Sequence, residues 1–219
     1  MPRLLFEKTG NAVWMSHLDL MRLFQRAFKR AELPLKHTQG FSPRPLVSIA
    51  LPLSVGMESH CELLDFELDG LKLPYEQIQN ALNNTLVSGV HIKSVYDSAR
   101  HIRELTFLSC ALTLEYDNGV PHDAQAAITQ LFASDSLMVE KRTKNGMTIQ
   151  NIIPMIHTLA VSTPDPNVLV ITACISCQNP TLNPAQLIAA IQANLPQYRP
   201  DFVKIRREEI YDSNNSVFR

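Results

Sequence analysis

One order of extended and helical patterns occurs twice along the chain, and this repeat constrains the fold more than any other feature. The first copy begins with a strand pattern, PRLLFEKTG, closed by Gly10. Ser16 then caps a helix through HLDLMRLFQRAFKRAEL, with Asp19 three residues on as in a capping box, and Pro34 stops it. Two extended segments follow, RPLVSIALPL and HCELLDFEL, the second alternating Leu64, Phe66 and Leu68 with Asp65 and Glu67 as a half-buried strand does. Pro74 opens a second helix, PYEQIQNALNNTL, and Gly89 precedes the strand VHIKSVYD.

The second copy follows the link SARHIRE. LTFLSCALTLEY reads as a strand, PHDAQAAITQLFAS as a helix, IPMIHTLAV and NVLVITACIS as strands, NPAQLIAAIQANL as a helix and DFVKIRREEIY as a closing strand. An added hairpin, LMVEKRTKNGMTIQ, turns at Asn145-Gly146, a pair suited to the positive φ of a type I′ turn. Strand, helix, two strands, helix, strand is the order of a four-stranded antiparallel sheet with both helices on one face. The expected fold class is therefore α+β, with tandem ferredoxin-like (βαββαβ) domains over residues 1–99 and 100–219. A length of 219 residues accommodates two such domains.

Composition narrows the function classes. The chain is 45% hydrophobic and 19% charged, as ordinary globular proteins are. No run of about 20 apolar residues predicts a membrane span, and the start MPRLLFEKTG lacks the long apolar stretch of a signal peptide. The expected location is the cytoplasm. Four scattered cysteines are expected to stay reduced. Cys174 and Cys177 are a lone close pair and do not supply the four ligands of a structural metal site. The sequence also lacks a Walker loop, a dinucleotide glycine fingerprint and a three-cysteine cluster, so no cofactor or metal is predicted.

Charge is distributed unevenly. Residues 1–50 hold eight of the twenty Lys/Arg but three of the twenty-one Asp/Glu, a local charge of +5 against −6 for the remainder. Within the first helix, Leu20, Phe24, Ala27, Phe28 and Ala31 share one face while Arg22, Arg26, Lys29 and Arg30 cluster opposite. Lys29 and Arg30 also complement the helix dipole near the C-terminus, but Arg22 and Arg26 lie too far from that end. HTQGFSPRP, His37 to Pro45, follows at once. Pro43 and Pro45 hold Ser42 and Arg44 extended, and Gly40 permits a positive φ. Arg44 is thus preset, together with Lys36, His37, Gln39 and Ser42, to bind a phosphate or carboxylate through its fork. The prolines also suit a simpler role, guarding a strand edge.

Phe41 has two roles open to it, a core residue or a platform for a base. Lys141, Arg142 and Lys144 on the hairpin, and Arg199, Lys204, Arg206 and Arg207 near the C-terminus, are candidates to extend the basic track. His17, at the helix start beside Ser16 and Asp19, is the one histidine placed as a weak candidate general base. No nucleophile, base and orienting group accompany one another in the sequence.

From Phe6 to Ser59 the residues resemble the bacterial radical SAM-linked (radical SAM-associated) protein of unknown function, a domain fused to or encoded beside B12-binding-type radical SAM proteins. Ser16, His17, Leu18, Asp19, Gln39, Gly40, Phe41, Pro43 and Pro45 carry the likeness. In the second half, Asn151 and Ile153 stand where that family pattern has an acid and an arginine. The resemblance implies cooperation with a separate radical SAM protein and supplies no activity of its own; joined to the basic face of the first helix, it gives the first reading, a noncatalytic RNA-binding or substrate-presenting module in rRNA or tRNA modification. Two alternatives stand beside it: a metal-independent endoribonuclease of the CRISPR repeat-processing type, whose basic first helix is similar but whose C-terminal glycine-rich loop is missing here, and a protein–protein adaptor without RNA contact.

Overall fold

A computed structural model describes residues 1–143 and 146–219. The chain divides into two compact units, Met1–Glu104 with Arg219, and Leu105–Phe218. The division falls at the end of the SARHIRE link. The fold is mixed α+β, with antiparallel strand pairing and four α-helices among the described residues.

The first unit runs β1 (Pro2–Lys8), α1 (His17–Arg30), β2 (Val47–Ile49), β3 (Met57–Phe66), α2 (Tyr75–Asn83) and β4 (Val90–Asp97). Its strands lie in the order β4-β1-β3-β2, each antiparallel to its neighbour. Leu4, Phe6, Leu64, Phe66 and Ile92 turn toward the helices and form one buried cluster with Leu20, Phe24 and Phe28 of α1 and Ile78 and Leu82 of α2. β2 is shorter than the RPLVSIALPL pattern predicts. Pro45 and Pro52 have no N–H to give to a ladder, and Leu51 has a positive φ of 43° that turns the chain.

The half-buried expectation for HCELLDFEL needs correction, because Cys61 to Phe66 are buried on both faces of β3. Asp65 is tolerated there because Arg3, its register partner on β1, is 2% exposed and grips it through two bonds, Nε to Oδ1 at 2.6 Å and Nη2 to Oδ2 at 3.1 Å. The remaining guanidinium donors reach the Ser98 hydroxyl and the Arg100 carbonyl. On edge strand β4, Asn83 of α2 accepts from the Ile92 N–H and donates to its carbonyl, so that residue's outward backbone groups are occupied.

The second unit runs β5 (Leu105–Glu115), α3 (Ala124–Phe132), β6 (Met138–Thr143), β7 (Gly146–Asn151), β8 (Ile156–Asp165), β9 (Val168–Ser176), α4 (Ala185–Asn194) and β10 (Phe202–Asp212). Its sheet order is β10-β5-β9-β8, again antiparallel, and β6 and β7 pair as a separate hairpin. The turn expected at Asn145-Gly146 involves Asn145, which lies outside the described residues. Alternate residues Leu108, Cys110, Leu112 and Leu114 of β5 and Leu169, Ile171 and Ala173 of β9 are buried, as are Ile128 and Phe132 of α3 and Leu187 and Ile191 of α4.

Removing one member of a buried, hydrogen-bonded ion pair leaves the other charge uncompensated, which costs about 3–5 kcal/mol. Asp65→Ala is therefore expected to lower unfolding free energy by about that amount in urea denaturation. The double variant Arg3→Met/Asp65→Leu is expected to recover most of it. A loss under about 1 kcal/mol in the single variant would remove the pair from its structural role.

Candidate nucleic-acid interface

α1 starts where the sequence places it. The Asp19 N–H donates to Ser16 Oγ at 3.2 Å, and the Ser16 hydroxyl donates to Asp19 Oδ2 at 2.7 Å. The bond from the Ser16 hydroxyl, with a smaller contribution from nearby Arg22, holds the Asp19 carboxyl below the usual carboxylate range. Rotation about the helix axis is fixed by two aromatic contacts: the Phe24 ring meets Phe6 edge-on at 4.8 Å, and Phe28 meets Phe66 at 5.0 Å. With Phe24 and Phe28 committed to the sheet, Arg22, Arg26, Lys29 and Arg30 point into solvent.

Arg22, Arg26 and Arg30 recur every four residues along α1 and line one shallow cavity of about 370 Å³ with Asp19 and Val87. Two of these cations have partners. Arg22 pairs with Asp19 at 3.3 Å, although both side chains are more than half exposed, and Arg30 donates to the Thr85 carbonyl at 2.9 Å. Arg26 and Lys29 have no ion pair or hydrogen bond from their side chains among the described residues.

The HTQGFSPRP stretch forms a narrow, hairpin-like loop. Leu46 N–H donates to the Lys36 carbonyl and Thr38 N–H to the Arg44 carbonyl, while Arg44 N–H donates to Thr38 Oγ1 at 3.0 Å. His37 and Pro45 bridge across it. Gly40 at the tip has φ +129°, a region closed to most side chains. The backbone of Arg44 is thereby fixed, and residues 36–44 are all exposed. Phe41 is fully exposed, which corrects the core alternative for it. Lys36 pairs with Glu67 at 2.9 Å, and this bond raises its pKa. Lys29 of the helix and His37 of the loop line a common cleft of about 510 Å³ with Glu32, Leu33 and Pro45. Helix and loop thus form one surface, with Ser42 and Gln39 at the exposed tip.

The second basic group belongs to the second unit. Lys141 donates to the Thr181 carbonyl, Lys204 pairs with Glu115, and Arg206 pairs with Glu208 at 2.6 Å. Arg207 is corrected as a surface candidate. It sits opposite Cys110 in the β10–β5 register, on the inward side, and is buried. Of Arg142 only its place in β6 is described, and Lys144 lies outside the described residues.

His17 occupies the first position of α1, and its Nδ1 is buried without a hydrogen-bond partner among the described residues. Ser16, the adjacent hydroxyl, is committed to Asp19, so no nucleophile and base are joined there. No group of three or more metal-ligating side chains occurs among the described residues. Three of the four thiols sit where burial disfavours the thiolate. Burial pushes Cys110 up to about 12 and Cys177 up to about 11, and raises Cys174 as well.

A family model described as "uncharacterized protein conserved in bacteria" (DUF2344) matches residues 2–184. No curated protein matches the sequence. Among solved structures, the chain is similar to one in a Cbf5-Nop10-Gar1 complex, with 10% identity and a TM-score of 0.50 over 95% of this chain and 48% of that one. A chain of the archaeal box H/ACA sRNP Nop10-Cbf5 complex is also similar, with 8% identity and a TM-score of 0.47 over 94% of this chain and 46% of that one. The chain spans about half the length of each, and the first likeness is one of fold.

Burial keeps the reagent from Cys61, Cys110 and Cys177, and a raised pKa further depletes the thiolate of the last two, so iodoacetamide at pH 8 is expected to leave these three unlabelled in the native protein and to label all four cysteines after unfolding. Rapid native labelling of Cys110 or Cys177, read by mass spectrometry, would contradict their burial.

Proposed function

The chain belongs to the DUF2344 family of bacteria, and we propose that it is a noncatalytic RNA-binding or substrate-presenting module that works beside a radical SAM enzyme in rRNA or tRNA modification. The observation that carries the RNA part is the row of Arg22, Arg26 and Arg30 along one exposed helix face, joined to Lys29 and to an arginine whose backbone is fixed at position 44. A row of cations on a rigid element suits a polyanion with regularly spaced charges. The radical SAM partner rests on the resemblance of residues 6–59, and its reaction is supplied by that partner.

We read both units as ferredoxin-like repeats. Their strand orders, β4-β1-β3-β2 and β10-β5-β9-β8, occupy corresponding positions in the two βαββαβ series, and this supports the reading. Such a scaffold places α1 on the outside of its sheet. Among the described residues no nucleophile is hydrogen-bonded to the buried His17 Nδ1, so the geometry adds no support to the endoribonuclease alternative.

Phosphate binding of this kind releases counterions, so log affinity falls with log salt at about −0.7 per phosphate neutralised on a single strand. With four or five cations engaged, a slope near −3 is expected in fluorescence-anisotropy titrations between 50 and 200 mM salt. Arg22→Glu/Arg26→Glu is expected to lower affinity at least tenfold and to flatten that slope. Binding that is absent at low salt, or indifferent to the double variant, would remove the proposal.

A further inference from the structure

Trp14 is the chain's only tryptophan, and it is 68% exposed. It closes a short 3-10 turn, Gly10–Trp14, immediately ahead of the α1 cap. The turn is clamped on two sides. Thr9 N–H donates to the Gly89 carbonyl at 2.7 Å, and Gly56 N–H donates to the Val13 carbonyl at 2.8 Å. A Cβ at Gly89 would lie 2.3 Å from the Thr9 carbonyl oxygen, so only glycine permits this approach. A Cβ at Gly56 would lie 3.8 Å from Trp14 Cζ3, so one edge of the indole lies near Gly56. The ring is mostly open to solvent, and Leu18 and Val55, the residue before Gly56, are exposed as well.

Leaving the largest aromatic side chain of the molecule in water forgoes the favourable transfer that burial brings. The core does not use it. It lies just ahead of α1, at the end of the helix from which the row Arg22, Arg26 and Arg30 runs, and the adjacent Met15 lines the cavity of that row. An aromatic plate beside a run of cations is the pattern by which proteins hold single-stranded nucleic acid, the ring taking a base and the cations its phosphates.

We infer that Trp14 is a stacking platform for an unpaired base of an RNA strand whose phosphates follow Arg22, Arg26 and Arg30. This rests on the RNA reading above and deepens it, since a paired base inside a duplex keeps its faces covered by its neighbours and offers none to the indole. The ligand class is single-stranded or looped RNA. α1 is fourteen residues long, and at 1.5 Å per residue it extends about 21 Å, room for about six nucleotides at the 3.4 Å spacing of one stacked strand.

The single tryptophan makes the test direct. Fluorescein-labelled octa-adenylate, an abasic eight-mer and an eight-base-pair RNA duplex would be titrated in low salt, with anisotropy of the label reporting binding and Trp14 emission, measured on unlabelled ligands, reporting stacking. The expected result is saturable quenching by octa-adenylate alone, along the same curve as its anisotropy, with the abasic and duplex ligands bound but silent at Trp14. Trp14→Ala is expected to weaken octa-adenylate binding about 5- to 100-fold and leave duplex binding unchanged, with Trp14→Tyr recovering most of the loss. RNA binding with unchanged Trp14 emission and an inert Trp14→Ala would overturn the platform while sparing the RNA reading. Absence of all RNA binding would overturn both. Quenching by anionic phospholipid vesicles but by none of the RNAs would reassign Trp14 to a membrane surface.

Discussion

Phe24 and Phe28 sit one turn apart on α1, and each meets an aromatic ring on a different strand of the first sheet. A helix held at two such points cannot roll. Everything attributed to the first unit's surface depends on this, because a rotation of about 100°, one residue's worth on a helix, would turn Arg26 toward the sheet. The packing contacts therefore determine where the charge lies, while the charged residues contribute little to the packing. The Ser16–Asp19 cap sets the other degree of freedom, the position at which the helix begins.

Local signals in the sequence were enough for much of this. The cap, the 3.6-residue spacing of α1 and the glycine and proline stops give the order of elements without reference to any distant residue. The basic face was legible for the same reason. What the sequence concealed was pairing between residues far apart in the chain. Arg3 and Asp65 are separated by 62 positions, and nothing near either one says that they meet. Counting charge along the first fifty residues consequently overstates the surface, since Arg3 and Lys8 are both buried. The Lys36–Glu67 pair was hidden in the same way, and so was the inward turn of Arg207 next to a register shift in β10, which depends on its pairing with β5.

Trp14 was missed for a different reason. Aromatic residues are usually buried, and a lone tryptophan just before a helix cap matches the pattern of a residue packed beneath it. Met15 holds that inner place instead, packed against the core cluster. The signal that separates the two lies in the glycines. Gly89 and Gly56 bring two backbone segments against the 3-10 turn, whose buried places are taken by Ala12 and Val13.

The closed loop between Lys36 and Leu46 has a kinetic consequence. Its rungs are made by its own backbone and by Thr38, so the segment does not need to become ordered when a ligand arrives. In the proposed anion-binding role, a surface already in its final shape and carrying concentrated positive charge would capture its ligand at a rate governed by electrostatic steering, without a slow folding step. Discrimination among ligands then falls to how long each one stays.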